Sequence, residues 1–283
     1  MILQPDCIIC CQRIALQAAK LVTEDQSALK TVVFKTIELL KRFPQNQDTF
    51  LLGLKIMEII EKVTGNGDPY RDIKKKSNEQ AESLVSTVNN KVETNPSPLW
   101  AAAKATALGN LLDVVADDLP DLADLLDDFL EKPFAVNHFN EFRSVLQRAR
   151  KAIYMGDNAG ETFFDRILIE KMNLSTEYFV KDFPFLNDAQ YEDAVLAGID
   201  QVATIKTVRL IKPVIMNQEY LFNMYSDFLD STQDADLVLV KGQANYEFLM
   251  PHLKGAFYVF VHKCPVIAQT DGANIGDAVF LRK

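Results

Sequence analysis

The residues best suited to chemistry follow a short apolar run at 152–155. Gly156 ends this run, and two oxygen-bearing side chains, Asp157 and Asn158, come directly after it. Helical apolar spacing begins after Glu161, so the pattern predicts a strand, a tight turn and a helix. In a parallel sheet such a turn lies at the carboxyl end of the strand, where ligands bind. A carboxylate beside a carboxamide suits a hard divalent cation there, although either residue could instead cap the helix.

Two further polar stretches also follow predicted strands. Asp188 follows the apolar run at 178–181, and Lys241 directly follows the run at 237–240. Because the carboxyl ends of parallel strands meet at one edge of a sheet, the three turns are predicted to converge. Two carboxylates and a carboxamide would hold a divalent metal, and Lys241 would add a positive charge suited to phosphate. Taken singly, Asp188 can be read as a helix cap and Lys241 as an exposed lysine, but the set is what phosphoryl transfer to water requires.

The predicted secondary structure that must position these turns changes near residue 148, from helices alone to alternating strands and helices. Before it the pattern is helical, with segments at 10–22, 26–43, 49–63, 72–92, 99–115 and 117–132. After it, runs of strand length at 152–155, 178–181, 202–204, 237–240 and 256–261 alternate with helical stretches. This alternation predicts a parallel sheet covered on both faces. We therefore predict a helical domain at 1–147 followed by an α/β domain at 148–283.

The composition of the chain argues against several classes of protein. Of its 283 residues, 48% are hydrophobic and 24% are charged, which is typical of a soluble globular protein. The formal net charge of −9 argues against a nucleic-acid partner, because phosphate backbones are bound by basic surfaces. No apolar run approaches the roughly 20 residues that span a bilayer, and the N-terminus lacks the pattern of a signal peptide. We predict a cytoplasmic protein without a membrane partner.

Three of the four cysteines, Cys7, Cys10 and Cys11, lie together near the N-terminus, which is unlike the framework of a secreted disulfide-rich fold. A Cys-x-x-Cys pair can be redox-active, can form half of a metal site or can be buried. On a helix Cys7 and Cys10 would share a face. Zinc would need two further ligands, for which Cys11 and Cys264 are the candidates, so the spacing favours a structural role.

Several motifs together resemble those of the damage-control phosphatase family, long catalogued as a domain of unknown function. In the second half of the chain the likeness lies in GDNAGE at 156–161, FLNDA at 185–189 and KGQANYE at 241–247. In the first half it lies in CIIC at 7–10, DPY at 68–70 followed by Lys74, and GNLLD at 109–113. The resemblance covers nearly the whole chain, and its length and cysteine pair are similar to the stand-alone microbial branch.

The resemblance implies a metal-dependent phosphatase in which a helical domain packs on a Rossmann-like, mostly parallel α/β domain. It carries the family's metal ligands over to Asp157, Asn158 and Asp188, and the phosphate-binding lysine over to Lys241. Mg, Mn, Co or Ni would support the hydrolysis of phosphate esters of damaged or side-product metabolites, such as sugar phosphates.

Further residues fall in matching motifs. By the same resemblance Asn110, Glu161 and Asn245 are predicted to bind substrate or phosphate, and Asp113 lies in the same motif as Asn110 without an assigned role. Ala244 departs from the family pattern, which has glycine there. If that position needs a positive φ, the added methyl group would change the geometry of the loop.

The predicted reaction is hydrolysis of a small phosphorylated metabolite. A metal held by the Asp157 turn would polarise the phosphoryl group and orient water, and Lys241 would neutralise charge on the transferring oxygens. Either Asp157 or Asp188 can serve as the base. Two other functions stay open: a binding protein that holds a phosphorylated ligand without turnover, and an S-adenosylmethionine-dependent methyltransferase, although the sequence has no GxGxxG loop. The oligomeric state is not predicted.

Overall fold

A computed structural model describes residues 3–44, 48–110, 122–210 and 218–283, with every side chain in these ranges except those of 122–125 and 218. Helices account for the regular elements of the N-terminal half within these ranges: α1 (Pro5–Lys20), α2 (Gln26–Arg42), α3 (Thr49–Thr64), α4 (Arg71–Thr94), α5 (Pro98–Gly109), α6 (Leu122–Glu131) and α7 (Phe139–Leu146). The helix start signals are local. The side chain of Asp25 caps α2 and that of Asp48 caps α3, and Pro5 lies in the first turn of α1.

Strands and helices alternate in the C-terminal half. They are β1 (Lys151–Met155), α8 (Thr162–Met172), β2 (Ser175–Lys181), α9 (Tyr191–Leu196), β3 (Thr204–Val208), α10 (Gln218–Met224), α11 (Ser226–Gln233), β4 (Leu237–Lys241), α12 (Gln243–Leu249), β5 (Phe257–Val261), α13 (Pro265–Asp271) and β6 (Ala278–Arg282). The predicted α/β class is confirmed. The third strand was misplaced, since the prediction ended at residue 204, where β3 begins.

The strands form one sheet in the order β3-β2-β1-β4-β5-β6. The first five are parallel, and β6 runs antiparallel to β5. β6 was not predicted from the sequence. It is held by pairing with β5 and with the segment around Asn137, more than a hundred residues earlier. The chain direction away from the sheet centre reverses between β1 and β4, so this is the point where open α/β sheets bind ligands.

Alternate side chains of β1 enter two hydrophobic cores on opposite faces of the sheet. Ala152 and Tyr154 pack in the core that contains α4, α5 and α8. Ile153 and Met155 pack in the core that contains α1, α3 and α12. Both cores therefore combine side chains from before and after residue 148. The division into domains at 147 and 148 stays a prediction.

None of the helices in the described ranges is long and apolar enough to cross a bilayer. The cytoplasmic location and the absence of a nucleic-acid partner stay predictions.

Candidate active site at the switch point of the sheet

The turn after β1 and the loop after β2 are joined by their backbones. The amide of Ala189 donates to the carbonyl of Asp157 at 2.7 Å, and Asn158 forms a β-bridge with Asp188. The three predicted metal ligands in these turns are all buried, with Asp157 only 7% exposed. The structure thus brings Asp157, Asn158 and Asp188 to one edge of the sheet.

The loop that carries Asp188 holds an uncommon backbone conformation. Leu186 has a φ of +50°, one of two positive values among non-glycine residues in the described ranges. Such a conformation costs about 1–3 kcal/mol and is maintained where surrounding structure enforces it, commonly at ligand sites. Here the buried side chains of Phe185 and Asn187 flank it. The strain therefore falls beside a predicted metal ligand.

Carboxamide groups surround the Asp157 carboxylate. Asn110, which follows α5, donates to Asp157 Oδ2 at 3.0 Å and to Glu161 Oε1 at 2.6 Å. Asn158 donates to Asp157 Oδ2 at 3.1 Å. Asn245 donates to the carbonyl oxygens of Gly156 and Lys241, and more weakly to Asp157 Oδ1 at 3.4 Å. These donors fix the position of the carboxylate. The Oδ1 of Asn110 accepts from the amide of Val261 at 3.0 Å, whereas Asn245 Oδ1 has no hydrogen-bond partner within the described ranges.

Lys241 lies at the centre of a fully buried ionic network. Its Nζ donates to Glu161 Oε2 at 2.6 Å, to the carbonyl of Thr106 at 2.9 Å and to Asp165 Oδ1 at 3.2 Å. Burial lowers the pKa of this ammonium, but the carboxylates of Asp165 and Glu161 outweigh burial and raise it. All three N–H donors are therefore engaged, and the Glu161 and Asp165 carboxylates compensate the charge of Lys241.

Asp165 is a buried partner that sequence reasoning missed. It accepts hydrogen bonds from the hydroxyls of Tyr154 and Tyr178, each at 2.7 Å, and from Thr106. The signal was available: Asp165 is an acidic residue among the apolar positions of α8, where an unpaired carboxylate would be costly to bury.

Lys181 is a second missed residue. It is buried at the end of β2 and forms an ion pair with Asp188. The carboxylate of Asp188 and its hydrogen bond raise the pKa of Lys181, although burial lowers it. Nothing in the local pattern distinguishes Lys181 from any lysine that ends a strand. Its ion pair with Asp188 could therefore be identified only from the folded structure.

Lys263 is an exposed cation that follows β5 at the same edge of the sheet. Its charge interacts favourably with Asp157, and its amide donates to Gln243 Oε1 at 2.9 Å. The reasoning that selected Lys241, a lysine after a parallel strand, applies equally to Lys263. Lys263 is nevertheless absent from the set of residues predicted from the sequence.

The loop after β4 passes so close to Asp157 that only glycine fits. Gly242 has a φ of +84°, and a Cβ added there would lie 2.0 Å from Asp157 Cγ. Ala244 lies two residues further on, exposed within α12, and is not among the described residues with positive φ. The position that needs glycine is therefore 242, and the departure at Ala244 does not disturb the loop.

Gly242→Ala is expected to reduce phosphate release at least about a hundredfold and to destabilise the protein by more than about 1 kcal/mol. The added methyl group clashes with Asp157, and alanine is also strained at a positive φ. Gly272→Ala is the matched control, because Gly272 has a φ of +72° with no atom within 4 Å of the added Cβ. Urea denaturation and phosphate assays would measure both. Equal losses in the two variants would refute the proposed clash.

The residues at this edge fit a hard divalent cation. Burial, the Glu161 carboxylate and the Asp188 carboxylate together raise the pKa of Asp157 well above its usual range. Asn245 Oδ1 is buried without a hydrogen-bond partner in the described part of the chain. A cation would offset the crowded negative charge and accept carboxylate and carboxamide oxygens. The described residues contain no set of three His, Cys, Asp or Glu side chains placed to bind a metal, so carboxamide oxygens would have to complete the site.

The remaining candidates lie elsewhere. Asp113 falls outside the described residues. The four cysteines are not joined by disulfides, and burial raises the pKa of the Cys7 and Cys10 thiols and raises that of Cys11 to about 12. Protonated thiols are poor nucleophiles, which agrees with the structural role favoured by the spacing.

Comparison with known proteins gives matches over nearly the whole chain. A sequence model of the damage-control phosphatase ARMT1-like domain matches residues 3–279. The chain is 29% identical to the uncharacterized protein MJ0202 of Methanocaldococcus jannaschii, over 99% of this chain and 95% of that protein. It is 28% identical to the damage-control phosphatase PH1575 of Pyrococcus horikoshii, over 100% of this chain and 98% of that protein. The crystal structure of a DUF89 family protein, PH1575 of Pyrococcus horikoshii, superposes with a TM-score of 0.82 and 25% identity, covering 100% of this chain and 99% of that one.

Proposed function

Because this chain belongs to the damage-control phosphatase ARMT1-like family, we propose that it hydrolyses phosphate monoesters of small metabolites with a divalent metal ion. The observation that carries the proposal is the convergence of three loops at the switch point of the sheet. They bring two buried carboxylates, Asp157 and Asp188, together with the Lys241–Glu161 ion pair. A relative from Archaeoglobus fulgidus is also named a damage-control phosphatase.

Asp157, Asn158 and Asp188 would hold the metal ion, and their oxygen donors accept Mg, Mn, Co or Ni. When bound, the ion supplies Lewis-acid polarisation of the phosphoryl group and lowers the pKa of water. Asn110 and Asn158 hold the Asp157 carboxylate at a fixed position by hydrogen bonds of 3.0 and 3.1 Å. This orientation is set before substrate binds, so no reorganisation is required during the reaction.

We assign the base to Asp157 rather than Asp188. The Asp188 carboxylate is already paired with the buried ammonium of Lys181, which stabilises its charged form and makes it a weaker proton acceptor. Asp157 has no ammonium partner within salt-bridge distance in the described structure, and burial, together with the Glu161 and Asp188 carboxylates, raises its pKa. Asp157 is thus the better acceptor for a proton from the attacking water.

Lys241 and Lys263 are two lysines of the site with different roles, one buried and one exposed. The Nζ of Lys241 donates to Glu161 and to two other acceptors. One of these three hydrogen bonds would have to break before Lys241 could contact phosphate directly. Lys263 is exposed, and its charge interacts favourably with the Asp157 carboxylate. In this arrangement Lys263 supplies the charge that attracts the phosphate dianion.

Lys263→Met is expected to raise KM for a phosphate ester by about ten- to a hundredfold, because one charge-assisted contact contributes roughly 1.5–3 kcal/mol. The free energy of unfolding should stay within about 0.5 kcal/mol of the wild type, because the side chain is exposed. Lys254→Met removes another exposed lysine and is the control. An unchanged KM in Lys263→Met would remove this residue from the phosphate site.

The direct test of the function is phosphate release from a panel of sugar phosphates and a chromogenic aryl phosphate. The protein is first treated with chelator, and Mg, Mn, Co and Ni are then added back separately. Release that depends on added metal supports the proposal and ranks the substrates. No release with any metal, together with metal binding in calorimetry, would refute the phosphatase and favour a metal-dependent binding protein.

A further inference from the structure

Tyr178, a fully buried residue of β2, donates a hydrogen bond to the buried carboxylate of Asp165. Its hydroxyl lies 2.7 Å from Asp165 Oδ2 and is the only donor to that oxygen in the described part of the chain. The other oxygen, Oδ1, accepts from Thr106, Tyr154 and Lys241. Because the four donors come from four different elements, the Asp165 carboxylate and the Tyr178 hydroxyl hold each other in one position.

The same hydroxyl packs against the turn that carries the proposed metal ligands. A Cβ added at Gly156 would lie 2.3 Å from the Tyr178 hydroxyl oxygen and 2.7 Å from its Cζ, so only glycine fits there while Tyr178 keeps its place. The amide of Gly156 donates to the carbonyl of Phe179 at 2.9 Å, and its carbonyl accepts from Asn245 Nδ2 at 3.1 Å. Gly156 is therefore fixed at both backbone polar groups and at its Cα, directly before Asp157.

Tyr154 provides a comparison within the same molecule. It pairs with Tyr178 across the parallel strands β1 and β2, is also fully buried, and donates to Asp165 Oδ1 at 2.7 Å. The three atoms nearest to a Cβ added at Gly156, however, all belong to Tyr178. The two tyrosines thus share one acceptor residue, but Tyr178 alone supplies the closest contacts to the turn.

We propose that Tyr178 is a positioning residue for metal binding, and that its hydroxyl, held by Asp165, sets the position of Gly156 and hence of the adjacent Asp157. The inference rests on the proposed function, because it takes Asp157 as a metal ligand. Asp165 also accepts from Lys241, so one carboxylate keeps the Lys241 network and the turn in a fixed relative position. Replacing groups that orient metal ligands without touching the metal typically changes metal affinity by about 10–100-fold.

The test measures Mn²⁺ binding by calorimetry, with chelator-treated protein and no substrate. Tyr178→Phe is expected to raise the Kd for Mn²⁺ about tenfold, because the hydroxyl that supports Gly156 is lost. Tyr154→Phe is the matched control. It loses a hydroxyl bonded to the same carboxylate and should leave the Kd within about twofold of the wild type. Circular dichroism checks that both variants are folded at the assay temperature. A purely structural role would lower their melting temperatures without this difference in Kd.

A second substitution tests whether the hydroxyl acts through Gly156. Gly156→Ala is expected to raise the Kd by a larger factor in the wild-type background than in Tyr178→Phe, because loss of the hydroxyl removes the closer of two clashes. The relief is partial, since Cζ stays near the added methyl group. The Tyr154→Phe background should give no relief. Equal factors in the two tyrosine backgrounds would overturn the inference.

Three further outcomes would overturn it: an unchanged Kd in Tyr178→Phe, equal changes in the two tyrosine variants, or a wild type that binds no Mn²⁺. Phosphate release is a separate readout, which tests the proposed function. If the wild type binds Mn²⁺ but hydrolyses no ester, the phosphatase proposal fails, and the comparison of Kd values still decides on Tyr178.

Discussion

Asp157→Asn is expected to reduce metal-dependent phosphate release at least about a thousandfold without unfolding the protein. The substitution removes a proposed metal ligand and the proposed base together, and losses of this size are typical of such groups. The carboxamide has nearly the same shape, and Asn110 and Asn158 retain Glu161 as an acceptor. The metal-free variant should be as stable as wild type or more so, because Asp157 is buried beside the carboxylates of Glu161 and Asp188 that repel it.

The measurement combines phosphate assays with thermal denaturation with and without added metal. Wild type should gain about 2.7 kcal/mol of stability at a metal concentration a hundredfold above Kd, and Asp157→Asn should gain almost none. Asp227→Asn, an exposed residue of α11, is the matched control. Retention of both turnover and metal stabilisation by the Asp157 variant would contradict the assignment of this residue.

Lys241→Met is expected to have the largest effect on stability, a loss of roughly 3–5 kcal/mol. This is the usual result of removing one partner of a buried ion pair. The substitution leaves the Glu161 and Asp165 carboxylates without their cation at a place where both side chains are fully buried. Phosphate release should also be lost, since Glu161 would no longer be held in place. Denaturant unfolding monitored by circular dichroism measures the change.

A second substitution separates two effects of Lys241→Met, the loss of the positive charge and the change in side-chain packing. Lys241→Met combined with Glu161→Gln should recover part of the lost stability, because one uncompensated carboxylate is removed, but should not recover activity. Lys263→Met provides the contrast of an exposed lysine, with lost affinity and unchanged stability. If Lys241→Met keeps wild-type stability and changes only KM, Lys241 contacts phosphate directly and the network described above is not its main role.

The sequence alone was sufficient to predict that the turns of the candidate site meet at one edge of the sheet. Asp157 and Asn158 follow β1 after a single glycine, and Asp188 ends the short loop after β2. Parallel strands must end at the same sheet edge, so their convergence is a consequence of strand, turn and helix in that order. The same reasoning applied one strand further along the chain would have found Lys263.

Only the tertiary structure decided which charges are paired and which faces the helices cover. Lys181 and Asp165 are ordinary in their local patterns, yet one neutralises Asp188 and the other shares Lys241 with Glu161. The placement of α3 and α5 on opposite faces of the sheet, and the pairing of β6 with β5, likewise join distant parts of the chain. Sequence periodicity reports which face of an element is apolar, but it does not report which other element covers that face. Contacts between distant residues are selected by the packing of the whole molecule.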